Sequence, residues 1–250
     1  MRIARLIVLL TLLTAFGLAL TGCGGETFLI SKGQEIDIGQ QAAADFEQQH
    51  PVRENTPRAR WLAQIGARIA EAAQPPNYPY EFKLVDENVN NAFALPGGPI
   101  YVYNGLIETL GADEDMVAWV CGHEASHISH QHAIKRIERA VGAQLLIEWA
   151  IGGGTARDIG GVVAGLAIQN YSRDNEYEAD RIGCRYAAAA GYDPTAAIPV
   201  LQKFRELQGR DPSDFEILFH SHPGNTDRED AVKRYLDANN LYGRYYRGGG

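Results

Sequence analysis

The residues of this chain best suited to chemistry lie between Cys121 and His130, in a stretch that contains the pattern His-Glu-x-x-His. On a helix, His123 and His127 are one turn apart and their side chains point the same way. Two imidazoles so placed can hold one zinc ion, and Glu124 beside them can act as a base. The pattern therefore predicts a zinc site, for which the rest of the chain must supply further ligands.

A catalytic zinc site needs a third protein ligand and an open position for water. We predict Glu176 as this ligand, because it lies in the segment Glu-Tyr-Glu-Ala-Asp with Asp180 one helical turn further on the same face. Asp180 would accept a hydrogen bond from the outer nitrogen of a ligand histidine and so fix its tautomer. Glu178 points to another face of this helix and is the weaker candidate.

Two more histidines follow the pattern closely. His130 lies seven residues after His123, so it points roughly the same way but one turn beyond His127. In the metzincin pattern, a third histidine ligand lies further along the chain and follows a glycine break, and that break is absent here. We therefore expect His130 and His132 to support the ligands from behind or to lie on the surface.

Periodic patterns along the chain predict the elements that position these residues. The central helix is expected to start at Asp113 or the residue before it and to continue past the zinc pattern to Arg139, with acidic residues first and basic residues last. Further helices are predicted at 31–49, 56–74, 171–191, 194–208 and 226–238, and strands at 80–85, 91–95 and 100–103. Pro199 should kink the helix that contains it. The pattern predicts a mainly helical α+β domain with a small sheet next to the central helix.

The second predicted strand is a candidate for substrate binding. A small sheet ahead of a His-Glu-x-x-His helix resembles the layout of zincin proteases, in which an edge strand pairs with the substrate backbone. By this resemblance the strand residues Asn91, Ala92, Phe93 and Ala94 would bind substrate. The alternative for residues 91–103 is an ordinary hairpin.

The first 22 residues are typical of an export signal. Two arginines precede an apolar run of 15 residues, which is short for a membrane span and right for secretion. The run ends in Leu-Thr-Gly-Cys, which resembles the bacterial lipobox, so Cys23 would be lipidated and anchor the chain to a membrane. Because Gly24 rather than Asp follows, we expect the outer membrane, facing the periplasm. A plain signal peptide with an unrelated cysteine is the alternative.

The composition of the chain limits the classes of molecule that it is expected to bind. The chain has 250 residues and a net charge of −8, and an acidic protein of this kind is not expected to bind nucleic acid. Cys121 and Cys184 could form a disulfide in an oxidising compartment or remain two separate buried thiols. The Gly-rich stretch at 142–165 fits a lid, a lipid-touching hairpin or a pair of close-packed helices.

Four features together resemble the zinc metalloprotease family that includes HtpX, the CAAX-prenyl endopeptidases and the periplasmic proteases of outer-membrane quality control. They are the His-Glu-x-x-His pattern, the Glu176-x-x-x-Asp180 helix, the 91–98 segment and Ser221-His222-Pro223. The resemblance covers 36–238 and is closest to the small lipoprotein members without transmembrane helices. It implies a gluzincin fold and one zinc ion per chain.

The resemblance also implies roles for individual residues. Glu124 would take a proton from the attacking water and deliver it to the leaving amine. His222 would stabilise the developing oxyanion, with Arg228 as the second choice. His222 could instead be a fourth zinc ligand in a resting state, or a structural loop residue.

These expectations define one leading function and one alternative. The leading hypothesis is a lipid-anchored zinc endopeptidase that cleaves exported, unfolded or misassembled envelope proteins, with envelope-assembly proteins as further partners. The alternative is a non-catalytic periplasmic chaperone or assembly lipoprotein that keeps zinc for structure. The predicted segments are a signal peptide at 1–22, a tether at 23–30, the metallopeptidase domain at 31–240 and a flexible tail at 241–250.

Overall fold

The computed structural model describes residues 29–73, 77–141, 171–208, 222 and 226–249. Across these ranges, the helices are α1 Lys32–Glu47, α2 Pro57–Ala72, α3 Asn104–Thr109, α4 Glu114–Ser129, α5 His132–Val141, α6 Arg173–Ala189, a short 3-10 helix Pro194–Ala196, α7 Ala197–Gln208 and α8 Thr226–Ala238. The strands are β1 Val52–Arg53, β2 Glu81–Val85, β3 Ala92–Ala94 and β4 Pro99–Tyr103. The predicted mainly helical α+β class is confirmed. Cys23, the Gly-rich stretch at 142–165, Ser221 and Pro223 lie outside the described residues.

The four strands form one mixed sheet in the order β1-β2-β4-β3. β2 and β4 are parallel, whereas β3 and β4 pair as an antiparallel hairpin with Phe93 opposite Tyr101. Gly97 lies in the connecting turn with a φ of 75°, a backbone conformation that glycine adopts without steric cost. β3 is thus an edge strand of the described sheet, on the side that packs toward α4.

The two helices that carry the zinc pattern and the Glu176 segment begin at capping side chains. Asp113 accepts a hydrogen bond from the backbone N–H of Met116 at 3.2 Å, and Ser172 accepts one from Asn175 at 3.2 Å. A cap of this type contributes about 1 kcal/mol and satisfies an N–H that has no partner within the helix. The start of α4 and of α6 is therefore specified by local sequence.

Glycines allow α4 and α6 to cross at close range. A Cβ atom placed on Gly122 would lie 3.0 Å from the carbonyl oxygen of Gly183, and one placed on Gly183 would lie 3.0 Å from the backbone nitrogen of His123. Larger residues at either position would separate the helices. This crossing brings the histidines of α4 next to the carboxylates of α6.

The structure has two helices where the sequence predicts one continuous helix to Arg139. α4 ends at Ser129 and α5 begins at His132. Between them, Gln131 has a φ of 54°, a left-handed backbone conformation that cannot continue a right-handed helix. The Gln131 side chain donates a 2.9 Å hydrogen bond to the buried carboxylate of Glu35, so a tertiary contact stabilises this break.

Pro199 lies in the first turn of α7, after the short 3-10 helix. The first N–H groups of a helix have no partner within it, so a proline there removes no helical hydrogen bond. Cys121 and Cys184 are both buried free thiols, which corresponds to the second of the two alternatives for these residues. None of the helices in the described part of the chain is long and apolar enough to cross a lipid bilayer.

The chain after α8 lies against the domain. The Tyr245 hydroxyl donates to Asp113 at 2.7 Å, and the Tyr245 backbone N–H donates to Thr195 at 3.1 Å. The Tyr246 hydroxyl donates to Asp237 at 2.9 Å. The sequence predicts a flexible tail over this segment, and these contacts attach it to the start of α4 and to α8.

Candidate active site

Four buried side chains converge between α4 and α6. His123 and His127 come from α4, Glu176 comes from the first turn of α6, and His222 precedes α8. One ligand atom from each residue lies within 4.8 Å of all the others. The structure thus brings together the three predicted ligands and adds His222 to them.

The spacing of these atoms fits a zinc ion. His123 Nε2 lies 3.1 Å from His127 Nε2 and 3.3 Å from His222 Nδ1. Glu176 Oε1 lies 3.5 Å from His127 Nε2 and 3.1 Å from His222 Nδ1. Ligand atoms bound at about 2.1 Å around a tetrahedral zinc are about 3.4 Å apart, and imidazole and carboxylate are donors that zinc accepts. The residues therefore fit the predicted metal.

A buried ion pair lies behind two of these ligands. Asp180 Oδ1 is 3.1 Å from His123 Nδ1, although the angle is outside that of a regular hydrogen bond. Arg228 donates to Asp180 from Nε at 2.8 Å and from Nη2 at 2.6 Å, and its Nη1 lies 2.8 Å from Glu176 Oε2. Arg228 thus holds together the carboxylate predicted as ligand and the carboxylate predicted to support it.

The charges of this group keep both carboxylates ionised. Burial raises the pKa of Asp180, but the adjacent Arg228 guanidinium outweighs burial and lowers it to about 2. The pKa of Glu176 is also below its ordinary value, because the positive charges of His222 and Arg228 outweigh the effect of burial. Ionised carboxylates are the form that binds a cation.

His127 has a separate set of partners. Its Nδ1 lies 2.9 Å from Nδ1 of His132, and His132 Nε2 lies 3.0 Å from Glu178 Oε2. Tyr171 stacks on the His127 ring, with centroids 3.8 Å apart and planes 18° apart. The sequence left His132 as a supporting or surface residue and gave no reason to pair it with Glu178 or to place Tyr171 here.

His222, a member of the cluster, is also in contact with Glu124. Glu124 is buried, and its Oε1 lies 3.3 Å from His222 Nε2. Burial lowers the pKa of His222, but the negative charges of Glu176 and Glu124 outweigh burial and raise it to about 10. The ring is therefore protonated in the metal-free cluster, and a divalent cation among the ligands would displace that proton.

A narrow cavity of about 10 Å³ lies beside Glu124, which is room for about one water molecule. Its apolar wall consists of Leu106, Trp119, Val120 and Phe204, and its polar wall includes His123, His222 and Arg228. Of the predicted substrate strand, Ala92 lines this cavity. Phe93 instead stacks on Tyr101, with ring centroids 5.1 Å apart, and all four strand residues including Asn91 and Ala94 are buried.

Comparison with known proteins identifies the family. Residues 56–236 match the model of peptidase family M48, and the chain belongs to this family. Membership confirms the predicted resemblance and the zincin-like fold, and it places the chain in a family of zinc-dependent metallopeptidases.

Three relatives illustrate the range of the family. The beta-barrel assembly-enhancing protease of Escherichia coli (strain K12) is 27% identical over 207 residues, which cover 78% of this chain and 42% of that protein. The mitochondrial metalloendopeptidase OMA1 of Arabidopsis thaliana is 33% identical over 150 residues, covering 60% of this chain and 30% of the relative. The metalloprotease LoiP of Escherichia coli (strain K12) is 26% identical over 265 residues, covering 96% of this chain and 100% of the relative. The chain thus spans less than half the length of the first of these.

Proposed function

We propose that this protein is a zinc-dependent endopeptidase that cleaves exported envelope proteins when they are unfolded or misassembled. The observation that carries the proposal is the buried Glu124 carboxylate, which lies beside the cluster of His123, His127, Glu176 and His222. A purely structural zinc site has no use for such a base, whereas peptide hydrolysis requires one.

Each residue has a defined task in this mechanism. Zinc, when bound, supplies the Lewis acidity that activates water and polarises the scissile carbonyl. Glu124 accepts the proton of the attacking water and transfers it to the nitrogen of the leaving amine. Asp180 supports His123 through its Nδ1, and Arg228 keeps Asp180 and Glu176 ionised.

We assign His222 to a resting state. Its Nδ1 lies among the three other ligand atoms, where it would occupy the position that a catalytic zinc site leaves open. Catalysis therefore requires His222 to leave this position, and its Nε2 contact with Glu124 would break in the same movement. Once displaced, His222 is the preferred donor to the oxyanion, because the Arg228 guanidinium is engaged by two carboxylates.

Strand β3 supports the proposal of extended substrates. It is an edge strand of the described sheet, and its Ala92 lines the cavity beside Glu124. An unfolded chain could add to such an edge through its backbone, with little demand on its side chains. We propose that residues 91–94 make this contact once substrate enters.

The observation that favours the alternative is the fourth ligand itself. Four protein ligands are typical of a structural zinc site, and His222 would complete such a set in a chaperone or assembly lipoprotein. Digestion of casein and of a denatured outer-membrane protein, with chelator and after zinc is restored, distinguishes the two functions. Zinc-dependent cleavage supports the endopeptidase, whereas bound zinc without cleavage supports the alternative.

Export and lipidation complete the proposal. The apolar run ending in Leu-Thr-Gly-Cys supports lipidation of Cys23 and an outer-membrane location facing the periplasm. One relative is named for the enhancement of β-barrel assembly, which makes envelope-assembly proteins reasonable partners to propose. Incorporation of labelled fatty acid by the wild-type protein, and its loss in Cys23→Ser, tests the anchor. Incorporation that persists in Cys23→Ser excludes it.

A further inference from the structure

We propose that His132 and Glu178 form a relay that positions His127 as a zinc ligand, an inference that rests on the zinc site proposed above. His132 is buried, with 1% of its surface exposed, and its two ring nitrogens face different partners. Nδ1 lies 2.9 Å from His127 Nδ1, and Nε2 lies 3.0 Å from the Glu178 carboxylate. Both distances are those of hydrogen bonds.

Only one arrangement of protons satisfies all three groups when zinc is bound. His127 Nε2 faces the ligand cluster, so that nitrogen carries the lone pair and the proton of His127 is on Nδ1. This N–H donates to His132 Nδ1, which must therefore be the unprotonated nitrogen of a neutral ring. The proton of His132 is then on Nε2 and donates to Glu178. The carboxylate thus sets the tautomer of His132, and His132 sets the tautomer of His127.

The break between α4 and α5 lies between His127 and His132 and allows their side chains to meet. His127 and His132 are five residues apart, and side chains with that spacing point in different directions on a continuous helix. The left-handed conformation of Gln131 brings His132 back toward α4. The hydrogen bond from Gln131 to Glu35 stabilises that conformation.

The two ligand histidines of α4 are therefore supported in different ways. His123 faces Asp180, a buried carboxylate neutralised by Arg228. His127 reaches a carboxylate only through a second imidazole, and that carboxylate, Glu178, has 40% of its side chain exposed. Tyr171 stacks on the His127 ring and restricts its plane, which leaves the relay to fix the proton.

Substitutions of Glu178 test the relay, because a half-exposed side chain can change without loss of the fold. Glu178→Ala removes the acceptor, whereas Glu178→Gln retains an oxygen that can accept from His132 Nε2. Asp174→Ala is the matched control, since it removes an exposed carboxylate one turn earlier on α6. Zinc affinity is measured by competition with a chromophoric chelator. We expect Glu178→Ala to weaken zinc binding by about tenfold or more, the usual effect of losing a partner of a metal-bound histidine. We expect Glu178→Gln to restore most of it and the control to match wild type.

Nitrogen-15 NMR of the zinc-loaded protein gives a second readout that a structural role alone would not change. The wild-type spectrum should show His132 protonated at Nε2 and His127 protonated at Nδ1, and Glu178→Ala should lose the single tautomer of His132. A wild-type His132 protonated at Nδ1, or a Glu178→Ala affinity within twofold of wild type, overturns the relay. Casein digestion in the same samples separates this failure from that of the proposed function, because a wild type that digests casein keeps the endopeptidase proposal even if the relay fails.

Discussion

The guanidinium of Arg228 lies 2.8 Å from the carboxylate of Glu176, and both side chains are almost fully buried. The same guanidinium makes two hydrogen bonds to Asp180, which lies behind His123. One cation therefore compensates two carboxylates on α6 and orients them toward the histidines of α4. The arrangement of the site depends on this ion pair even before metal binds.

Replacement of Arg228 should destabilise the metal-free protein. Arg228→Met leaves Asp180 buried without its main cation and removes one of the two positive charges beside Glu176, and breaking a buried pair in this way costs about 3–5 kcal/mol. Urea unfolding of the metal-free form measures the loss. Arg205→Met is the control, because Arg205 is half-exposed in its 2.9 Å pair with Glu229 and should cost less than about 1 kcal/mol. Similar losses in the two variants would contradict the role assigned to Arg228.

The close crossing of α4 and α6 can be tested with one methyl group. In Gly183→Ala, the new Cβ would lie 3.0 Å from the backbone nitrogen of His123, so the helices must separate by a few tenths of an ångström. We expect weaker zinc binding, measured by chelator competition. Alanine has a higher helix propensity than glycine, which favours folding of the variant by about 1 kcal/mol but does not restore the position of the ligands. Gly33→Ala on α1 meets no atom within 4 Å and should leave zinc affinity unchanged. Wild-type affinity in Gly183→Ala would show that the crossing tolerates a side chain.

Glu124 separates metal binding from catalysis. Glu124→Gln keeps the size of the side chain but removes the base, so zinc content should match wild type. Casein digestion should fall by about a hundredfold to ten-thousandfold, the contribution of general acid–base catalysis. Elemental analysis and a digestion time course on one sample measure both properties. Full activity in this variant would refute the proposed mechanism, and Glu176→Ala, which should lose zinc, serves as the contrasting variant.

His222 distinguishes a blocking ligand from a catalytic donor. If His222 mainly occupies the fourth position, His222→Ala should bind zinc less tightly yet digest casein faster, because the position is open. If nine tenths of the molecules are in the resting state, opening the position should raise the measured activity about tenfold. A fall in kcat of more than about a hundredfold would instead assign the oxyanion role to His222. Measuring kcat and zinc affinity on the same preparation decides between them.

Asp113, which caps the start of α4, should make the free energy of unfolding depend on pH. Burial raises the pKa of Asp113, but hydrogen bonds from Tyr245 and from the backbone N–H of Met116 outweigh burial and lower it below its ordinary value. A lowered carboxylate pKa contributes stability above the unfolded value of about 3.9, and this contribution is lost as the pH falls through the folded pKa. Asp113→Ala should therefore cost about 0.5–2 kcal/mol at pH 7 and less near pH 2, by urea unfolding. Tyr245→Phe, which removes only the tail hydrogen bond, should cost less, and a cost independent of pH would argue against the ionised cap.

Local sequence determined much of the fold and the first part of the site. Capping residues such as Asp113 set where helices start, and the spacing of His123 and His127 places both on one face of α4. The same rule relates Glu176 to Asp180 on α6. These features could be predicted because they depend on residues within one or two helical turns.

The tertiary structure decided what completes the site. The convergence of His222 with the ligands, the position of Arg228 behind two carboxylates and the docking of Tyr245 are contacts between residues far apart in the chain, and no sequence period encodes them. The break at Gln131 is of the same kind, since its left-handed backbone is stabilised by a hydrogen bond to Glu35 on α1. Only that break lets His132 meet His127, because a continuous helix would have directed the two rings apart.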